Sequence, residues 1–329
     1  MKNHILIYTE GSFKLGLGNI YRSLSLANKI IAKKKCEIQF ITTSDESVSD
    51  ILKKNGFSVV CKPNQDKAFD YILENTPQVL IIDFLGINKD LVREVKHNGS
   101  NIVIIGNDND ANLFADVVVN AIIGTNFKNN SHYKNKTLYL EGTRYLALRD
   151  EFTTNRYSYK YKSKLHTIAL LFGGTDQSNF SYKVLRDLLD DGKDLNYVLV
   201  LGSGYKCEDE IEGLIKDRGV TDNVIVLRNV TNVAETLLDV DFLITSPGTT
   251  LFEAFCLGLP SVALFQNENQ QHVFGSFFMT KKYEDIDNIS DYINSIYDGY
   301  NSYVKKVKEL EVGLGENEIV ENIIKFIKL

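Results

Sequence analysis

The sequence predicts an α/β protein with two doubly wound parallel sheets, each in its own Rossmann-like domain. The chain has 329 residues, a length that favours two domains over one. Short β-branched runs alternate with longer amphipathic segments, which is the pattern of βα units in a parallel sheet. The alternation is interrupted once, at 150–164, where the sequence DEFTTNRYSYKYKSK has no sustained period.

The same alternation places the elements of each half. In the first half it predicts strands at 4–9, 37–42, 58–61, 79–83, 101–106 and 117–120. It predicts helices there at 19–33, 47–55 and 88–98. In the second half it predicts strands at 166–172, 197–201, 224–227, 242–245 and 261–265. It predicts helices there at 180–191, 207–218, 230–238, 250–258 and 289–298. We therefore expect domains at 1–149 and 165–315, a linker at 150–164, and a final helix at 316–329 that crosses back to the first domain.

Composition and charge argue against several classes of protein. The formal net charge is −6, so a general nucleic-acid surface is not expected. The four cysteines form no C-x-x-C pair, which argues against a disulfide framework or a zinc site. No apolar stretch has the length of a membrane span, and the N-terminus lacks the features of a signal peptide. These features predict a cytoplasmic protein and leave peripheral membrane contact open.

A glycine-rich motif follows the first predicted strand of each half. Ligands of open α/β sheets bind beyond the carboxyl ends of the strands, and two such sheets that face each other would form a cleft there. The first motif, EGSFKLGLGNIYR at 10–22, contains two glycines that allow close approach of a ligand, and an arginine. We assign to it the sugar- or phosphate-binding residues Gly16, Gly18 and Arg22. The alternative is a turn that merely connects strand and helix.

The second motif is FGGTDQSN at 172–179. Its glycines and short polar side chains suit a sugar or phosphate that is approached by the backbone, so Gly173, Gly174 and Thr175 are the candidates. Asp176 or Ser178 could instead serve only as the N-cap of the following helix. The two interpretations are compatible.

The third motif is the most specific, TSPGTTLFEA at 245–254. A strand ends there, a turn of small residues follows, and a helix begins. Backbone N–H groups and hydroxyls at such a helix start bind diphosphates, so the candidates are Ser246, Gly248, Thr249 and Thr250. Glu253 could accept hydrogen bonds from a ribose diol. Alternatively, it complements the helix dipole or forms a capping box with Thr250.

The fourth motif, QNENQQH at 266–272, follows the predicted strand at 261–265. Amide side chains in this place can bind sugar hydroxyls, which makes Asn269 and Gln270 candidates. The alternative is a polar loop that caps a helix.

Together with LEGTRYLALRDEF at 140–152, these four motifs resemble the UDP-sugar hydrolases of pseudaminic acid biosynthesis and their spore-coat polysaccharide relatives. The resemblance covers nearly the whole chain. It implies the glycosyltransferase-B architecture, as in the similar lipid-intermediate N-acetylglucosaminyl transferase of cell-wall synthesis. It also implies a UDP-type nucleotide, bound without metal or other cofactor. The base would lie near Asn229, Val230 and Thr231, the diphosphate at 248–250, and the ribose at Glu253.

Two positions depart from that family. Its hydrolases carry G-x-G-H, where the histidine is the proposed water-activating base, but this chain has Asn19. They also carry a tyrosine after the aspartate that ends the fourth strand, whereas here Phe84 follows Asp83. An amide cannot take a proton from water near neutral pH, and a phenylalanine cannot hold water. The nucleotide half therefore matches the family while the hydrolytic half is altered.

We therefore expect a glycosyltransferase that transfers a sugar from a nucleotide donor to an acceptor hydroxyl entering over the first half. Glu10, Asp83 and Asp108 are the candidate bases, and any of them could equally be a helix cap or turn residue. A second hypothesis is a UDP-2,4-diacetamido-2,4,6-trideoxyhexose hydrolase with an altered water site. A third is an inactive nucleotide-sugar-binding partner of another enzyme.

Overall fold

The computed structural model describes residues 4–12, 17–121, 129–133, 136–228, 230–275 and 277–327. The chain divides into two compact units. Unit 1 comprises Met1–Ala147 and Gly313–Leu329, and unit 2 comprises Leu148–Val312.

Unit 1 is built on a seven-stranded parallel sheet in the order β3-β2-β1-β4-β5-β6-β7. The order reverses between β1 and β4, which defines a topological switch point. The elements are β1 (His4–Thr9), α1 (Gly18–Lys33), β2 (Glu37–Thr42), α2 (Glu46–Lys54), β3 (Ser58–Cys61), α3 (Gln65–Asn75), β4 (Val79–Asp83), α4 (Lys89–His97), β5 (Asn101–Ile105), β6 (Val117–Asn120) and β7 (Leu138–Glu141).

Unit 2 repeats this plan with a six-stranded parallel sheet in the order β10-β9-β8-β11-β12-β13. Its switch point lies between β8 and β11. The elements are α5 (Asp150–Thr154), β8 (Thr167–Leu171), α6 (Phe180–Asp190), β9 (Asn196–Leu201), α7 (Glu208–Arg218), β10 (Val224–Arg228), α8 (Val233–Leu238), β11 (Phe242–Thr245), α9 (Thr249–Leu257), β12 (Ser261–Leu264), α10 (Glu268–Phe274), β13 (Thr280–Lys281), α11 (Ile289–Asp298) and α12 (Tyr300–Glu309).

The last helix, α13 (Glu316–Ile324), belongs to unit 1 and packs on α1. Lys29 Nζ lies 2.6 Å from Glu316 Oε2, and Lys33 Nζ lies 2.7 Å from Glu321 Oε1. Ile319 and Ile323 enter the core on the same face of the sheet as Ile5.

Alternation along the strands explains why both faces of the unit 1 sheet are covered. Ile5 and Ile7 pack in one core layer, and Leu6 and Tyr8 pack in the other. Successive side chains of a strand point to opposite faces, so a strand buried on both sides reads as a continuous apolar run. This arrangement confirms the predicted fold class of two parallel-sheet, Rossmann-like domains.

The predicted strands are all present, with ends that shift by at most one residue. The stretch at 150–164, predicted to be an irregular linker, instead begins with α5 and packs within unit 2. Phe152 is fully buried, and the backbone N–H groups of Tyr157 and Tyr159 donate to the carbonyls of Cys256 and Leu257, at 2.8 and 3.1 Å. The stretch shows no sustained period because only Phe152 and Tyr159 of its aromatic residues are buried, whereas Tyr161 and the lysines are exposed.

Other differences are local. Helix α8 begins at Val233 rather than at 230, because the Asn232 side chain accepts a hydrogen bond from the Glu235 N–H and caps it. Helices α3, α10 and α12 and strands β7 and β13 were not predicted. Among the described residues, no helix has the length and apolar character to cross a membrane.

Candidate functional site

In unit 2, three neighbouring strands, β8, β11 and β12, end at the same edge of the sheet, and Gln266 connects the loops that follow them. Its Nε2 atom donates to the Phe172 carbonyl at 2.9 Å and to Ser246 Oγ. The backbone N–H of Ser178 donates to Gln266 Oε1 at 3.3 Å. Gln270 extends the network, because its Oε1 accepts from the Gln266 N–H at 2.8 Å. These contacts fix the loops with neutral groups only.

Helix α9 begins at this edge directly after Gly248. No side chain caps its N-terminus, and the first N–H groups of a helix have no partner within the helix. A Cβ atom added at Gly248 would meet no heavy atom within 4 Å. Every residue from Leu251 to Leu257 is buried, so the helix is held rigidly. Its start, with Thr249 and Thr250 half-buried, is therefore a preformed place for an anion.

The glycine motif after β8 is shaped by a residue that the sequence analysis missed. A Cβ atom at Gly202 would lie 2.5 Å from the Gly173 oxygen and 2.4 Å from the Gly174 oxygen. The N–H of Gly204 donates to the Gly174 oxygen at 2.9 Å. Only a glycine at 202 lets the two loops approach this closely. The G-S-G pattern directly after the second strand of this half could have indicated it.

Two helix-cap alternatives in unit 2 are confirmed. The buried Asp176 carboxylate accepts the N–H groups of Phe180 at 2.8 Å and Ser181 at 2.7 Å, and burial raises the pKa of Asp176 above its usual value. Asn267 caps α10 by accepting the Gln270 N–H at 2.9 Å. Ser178 is not a cap, because its hydroxyl donates to the Gln266 carbonyl at 3.0 Å.

The remaining candidates of unit 2 differ in accessibility. Asn269 is exposed on α10, and Thr175 is half-buried beside the glycines. Val230 is half-buried and Thr231 is exposed before α8. Asn229, predicted near the base, lies outside the described residues.

Glu253 lies one turn into α9 and is only 1% exposed. Its two carboxylate oxygens accept from Arg149 Nε at 2.7 Å and Arg149 Nη2 at 2.8 Å. The alternative role of Glu253, a capping box with Thr250, is therefore not the arrangement seen. A bidentate guanidinium–carboxylate pair is both strong and geometrically specific.

In unit 1, the corresponding edge carries a charged network. Asp83, at the end of β4, is fully buried. Its carboxylate accepts from Arg22 Nε at 3.0 Å, from Arg22 Nη2, and from Ser23 Oγ at 2.8 Å. A carboxylate held in this way favours a role in placing Arg22 over the predicted role of general base.

The amide of Asn19 joins this network. Its Oδ1 accepts from Arg22 Nη2 at 3.0 Å, and its Nδ2 donates to the Glu10 carbonyl at 3.3 Å. Glu10 Oε1 accepts from Tyr8 Oη at 2.8 Å and Thr43 Oγ1 at 2.5 Å. Burial, with the charge of Glu10, raises the pKa of Tyr8, so the phenol remains a donor at neutral pH. Gly18 begins α1, whereas Gly16 lies outside the described residues.

The third candidate base, Asp108, lies apart from this network. It is exposed after β5 and lines a shallow cavity of about 370 Å³ with Ile87, Lys89, Asn109 and Asp110. Within the described part of the chain its carboxylate has no hydrogen bond or ion pair. The structure thus brings Glu10, Asn19, Arg22 and Asp83 into one network and leaves Asp108 outside it.

Comparison with known proteins supports the fold and part of the predicted resemblance. No family model matches the sequence. The chain is 38% identical over 330 residues to the uncharacterized protein MJ1062 of Methanocaldococcus jannaschii, a match that covers 97% of this chain and 66% of that protein. It is 27% identical over 275 residues to the spore coat polysaccharide biosynthesis protein SpsG of Bacillus subtilis, which covers 81% of this chain and 78% of that protein. The chain thus spans just under two thirds of the length of its archaeal relative.

Solved structures with the same fold, all of low sequence identity, include glycosyltransferases and a putative UDP-N-acetylglucosamine 2-epimerase from Listeria monocytogenes, which matches with a TM-score of 0.61 and 11% identity over 99% of this chain and 96% of that one. The glycotransferase of kitacinnamycin matches with a TM-score of 0.65 and 13% identity, over 100% of both chains. MurG of Acinetobacter baumannii matches with 0.63 and 12%, over 98% of this chain and 99% of that one. HepE of Anabaena, solved in complex with UDP and glucose, matches with 0.60 and 13%, over the same shares. The chain therefore has the glycosyltransferase-B fold class.

Proposed function

We propose that this protein is a glycosyltransferase that uses a nucleotide-activated sugar, in a bacterial-type surface-glycan or nonulosonic acid context. The observation that carries the proposal is the uncapped start of α9 at Gly248, held by neutral loops and set in a rigid, buried helix. The similarity to a spore coat polysaccharide protein and the UDP complex of a protein with the same fold support it.

The donor would occupy the carboxyl edge of the unit 2 sheet. Its diphosphate would accept hydrogen bonds from the N–H groups at 248–250 and from the hydroxyls of Ser246, Thr249 and Thr250. Partial positive charge at the helix start stabilises such an anion, so the backbone would supply what a metal ion supplies elsewhere. The sugar would lie toward the glycine motif at 173–175 and the side chain of Asn269. The base would lie near 229–231, with the ribose near Glu253 and Arg149, whose guanidinium already bonds both oxygens of that buried carboxylate.

The reaction needs a base for the acceptor if the configuration inverts. The acceptor oxygen attacks the anomeric carbon, the bond from that carbon to the diphosphate oxygen breaks, and the bonding electrons leave with the phosphate. The acceptor proton passes to a carboxylate. Asp83 is fully buried and paired with the charged Arg22. Glu10 is half-buried and accepts from neutral hydroxyls through one oxygen, which leaves Glu10 and Asp108 as the candidates. Arg22 would bind an oxyanion of the substrate from its fixed position.

The alternative is the hydrolase of the resembling family, and the network around Asn19 bears on it. The Asn19 amide already donates to the Glu10 carbonyl and accepts from Arg22. It therefore orients its neighbours and takes no proton from water. We expect the Asn19→His variant to gain water-dependent cleavage of the donor, because an imidazole restores a proton acceptor at this position. No gain would argue against a latent hydrolytic site.

One set of measurements separates transferase, hydrolase and inactive binder. Thermal shift and calorimetry against UDP, GDP, CDP, CMP and their sugar conjugates would identify the donor class, because a ligand of the native state raises the melting temperature. Donor consumption would then be followed with and without a mixture of candidate acceptors. We expect consumption that depends on the acceptor. Equal consumption without acceptor would favour the hydrolase, and affinity without turnover would favour the binder. No shift with any nucleotide would refute the donor site.

A further inference from the structure

Arg149 contacts two acidic side chains of unit 2, Glu253 and Glu151. Besides its two bonds to Glu253, its Nη1 atom lies 3.2 Å from Glu151 Oε1. The guanidinium also stacks over Phe152, with 4.8 Å from its central carbon to the ring centroid. Phe152 is fully buried and cannot move easily. Its ring therefore fixes the plane of the guanidinium, in addition to the hydrogen bonds of that group.

Glu151 in turn reaches the first residue of α8. Its Oε1 atom accepts the backbone N–H of Val233 at 3.1 Å, one of the donors that a helix start leaves without an intrahelical partner. One guanidinium therefore connects α9, through Glu253, with the start of α8, through Glu151. The diphosphate is proposed at the start of α9, and the base is proposed at 229–231, directly before α8.

The burial of Glu253 makes the structure of the site depend on its bonds to Arg149. Glu253 is 1% exposed, and a carboxylate in that position is costly unless a cation and hydrogen bonds satisfy it. Lysine cannot replace arginine here without loss, because an ammonium cannot form two parallel bonds to one carboxylate while bonding a second one. The geometry of α9 and α8 thus depends on the planar, branched head group of Arg149.

We infer that Arg149 is a positioning residue for the nucleoside part of the donor site. Acting through Glu253 and Glu151, it sets the positions of the helix that would bind the diphosphate and of the start of α8, which directly follows the residues proposed to bind the base. This inference rests on the proposed function, since it assigns no new ligand. It adds a role for the motif LALRDEF at 146–152, for which the sequence analysis found only a resemblance.

The test measures UDP affinity by calorimetry well below the melting temperature, for the wild type and for R149K, R149A and E151Q. We expect the Kd for UDP to rise about tenfold in R149K and more in R149A, the size of a lost charge-assisted hydrogen bond. E151Q should raise it about threefold, because a neutral amide oxygen accepts the Val233 N–H more weakly than a carboxylate does. The matched control is R186K, because Arg186 bonds its neighbour Asp187 on α6 and interacts with Tyr283, and neither residue belongs to the proposed nucleotide site.

Melting temperatures recorded in parallel distinguish positioning from simple stabilisation. A purely structural role would lower the melting temperature of R149A while the Kd of the folded protein stayed within twofold of wild type, and that result would overturn the inference. R149K, which keeps the charge and most of the volume, gives the same test if R149A does not fold. If the wild type itself binds no nucleotide, the proposed function fails first, and the inference fails with it.

Discussion

The carboxyl edges of the two sheets have the same topology, but different groups hold their loops together. In both units the strand order reverses beside the first strand of the sheet, between β1 and β4 and between β8 and β11. At the unit 1 edge, a buried carboxylate and a guanidinium bind each other, as Asp83 and Arg22 do. At the unit 2 edge, neutral groups around Gln266 and Gly248 bind the loops and leave a helix start uncapped.

The two edges obtain their electrostatic character from different groups. In unit 2 no side chain caps the start of α9, and the ion pair between Glu253 and Arg149 lies one turn into the helix, so the N–H groups and the helix dipole at the start would act on an incoming anion. In unit 1 the charge of Arg22 is largely balanced before any ligand arrives. Topology therefore locates both edges, while the residues after each strand decide which one suits a diphosphate.

The largest expected effect is on the charged edge. Asp83→Ala removes one partner of a buried ion pair and leaves the other without compensation, which typically costs about 3 kcal/mol or more of unfolding free energy. Urea unfolding of the variant measures this loss. Asp70→Ala, which removes an exposed partner of Lys67, is the control and should leave stability unchanged. If Asp83→Ala lost no more unfolding free energy than Asp70→Ala, the unit 1 network would be dispensable for stability.

The second prediction concerns the loop contact at the neutral edge. Gly202→Ala places a Cβ atom 2.4 Å from the Gly174 oxygen, so the two loops must separate, at a cost of about 1–3 kcal/mol for an overpacked contact. The glycine motif should also lose its shape, and nucleotide affinity should fall.

Gly213→Ala provides the matched control for that variant. Gly213 lies within α7, and its added Cβ would meet no heavy atom within 4 Å. Alanine in a helix interior is favoured over glycine by about 1 kcal/mol, so this variant should be slightly more stable than the wild type. Equal melting temperatures for the two alanine variants would contradict the close approach of the loops.

The third prediction separates binding from stability at the same edge. Gly248→Ala adds a Cβ where the protein itself has open space, so the melting temperature should stay near that of the wild type. The same methyl group would occupy the space proposed for the diphosphate, and we expect nucleotide affinity to fall about tenfold, equivalent to about 1.4 kcal/mol. Calorimetry with UDP checks this. Unchanged affinity would place the diphosphate elsewhere.

The fold could be predicted from the sequence because the patterns that indicate strands and helices are local. Runs such as ILIYT in β1 and FLIT in β11 are apolar on both faces, and their spacing along the chain indicates parallel crossovers. Helix α12 was missed because only Tyr303 and Val307 on it are buried, among several lysines. A stripe that narrow gives a weak helical period.

The site was predictable only in part, because its important contacts join distant residues. Arg149 and Glu253 are separated by 104 positions, and Arg22 and Asp83 by 61. A motif places each residue on a helix or at the end of a strand, but it does not show which charges are already paired. Glu253 illustrates this limit: its position one turn into α9 was predicted, whereas its burial against Arg149 was not.

The smallest expected effect is a pH dependence in unit 2, from the carboxylate of Asp176 in the loop after β8. Burial raises the pKa of this group in the folded protein above the ordinary value of 3.8, so between the two values the folded state holds more protons than the unfolded state. The stabilisation is then fully present below the unfolded pKa and is lost as the pH rises through the folded pKa.

Urea unfolding of the wild type and of Asp176→Asn, which cannot titrate there, would be compared at intervals from acid to neutral pH. We expect the wild type to lose stability relative to the variant as the pH rises. A relative gain would mean that the hydrogen bonds from Phe180 and Ser181 outweigh burial, and that unit 2 also keeps a stable negative charge at this edge of its sheet.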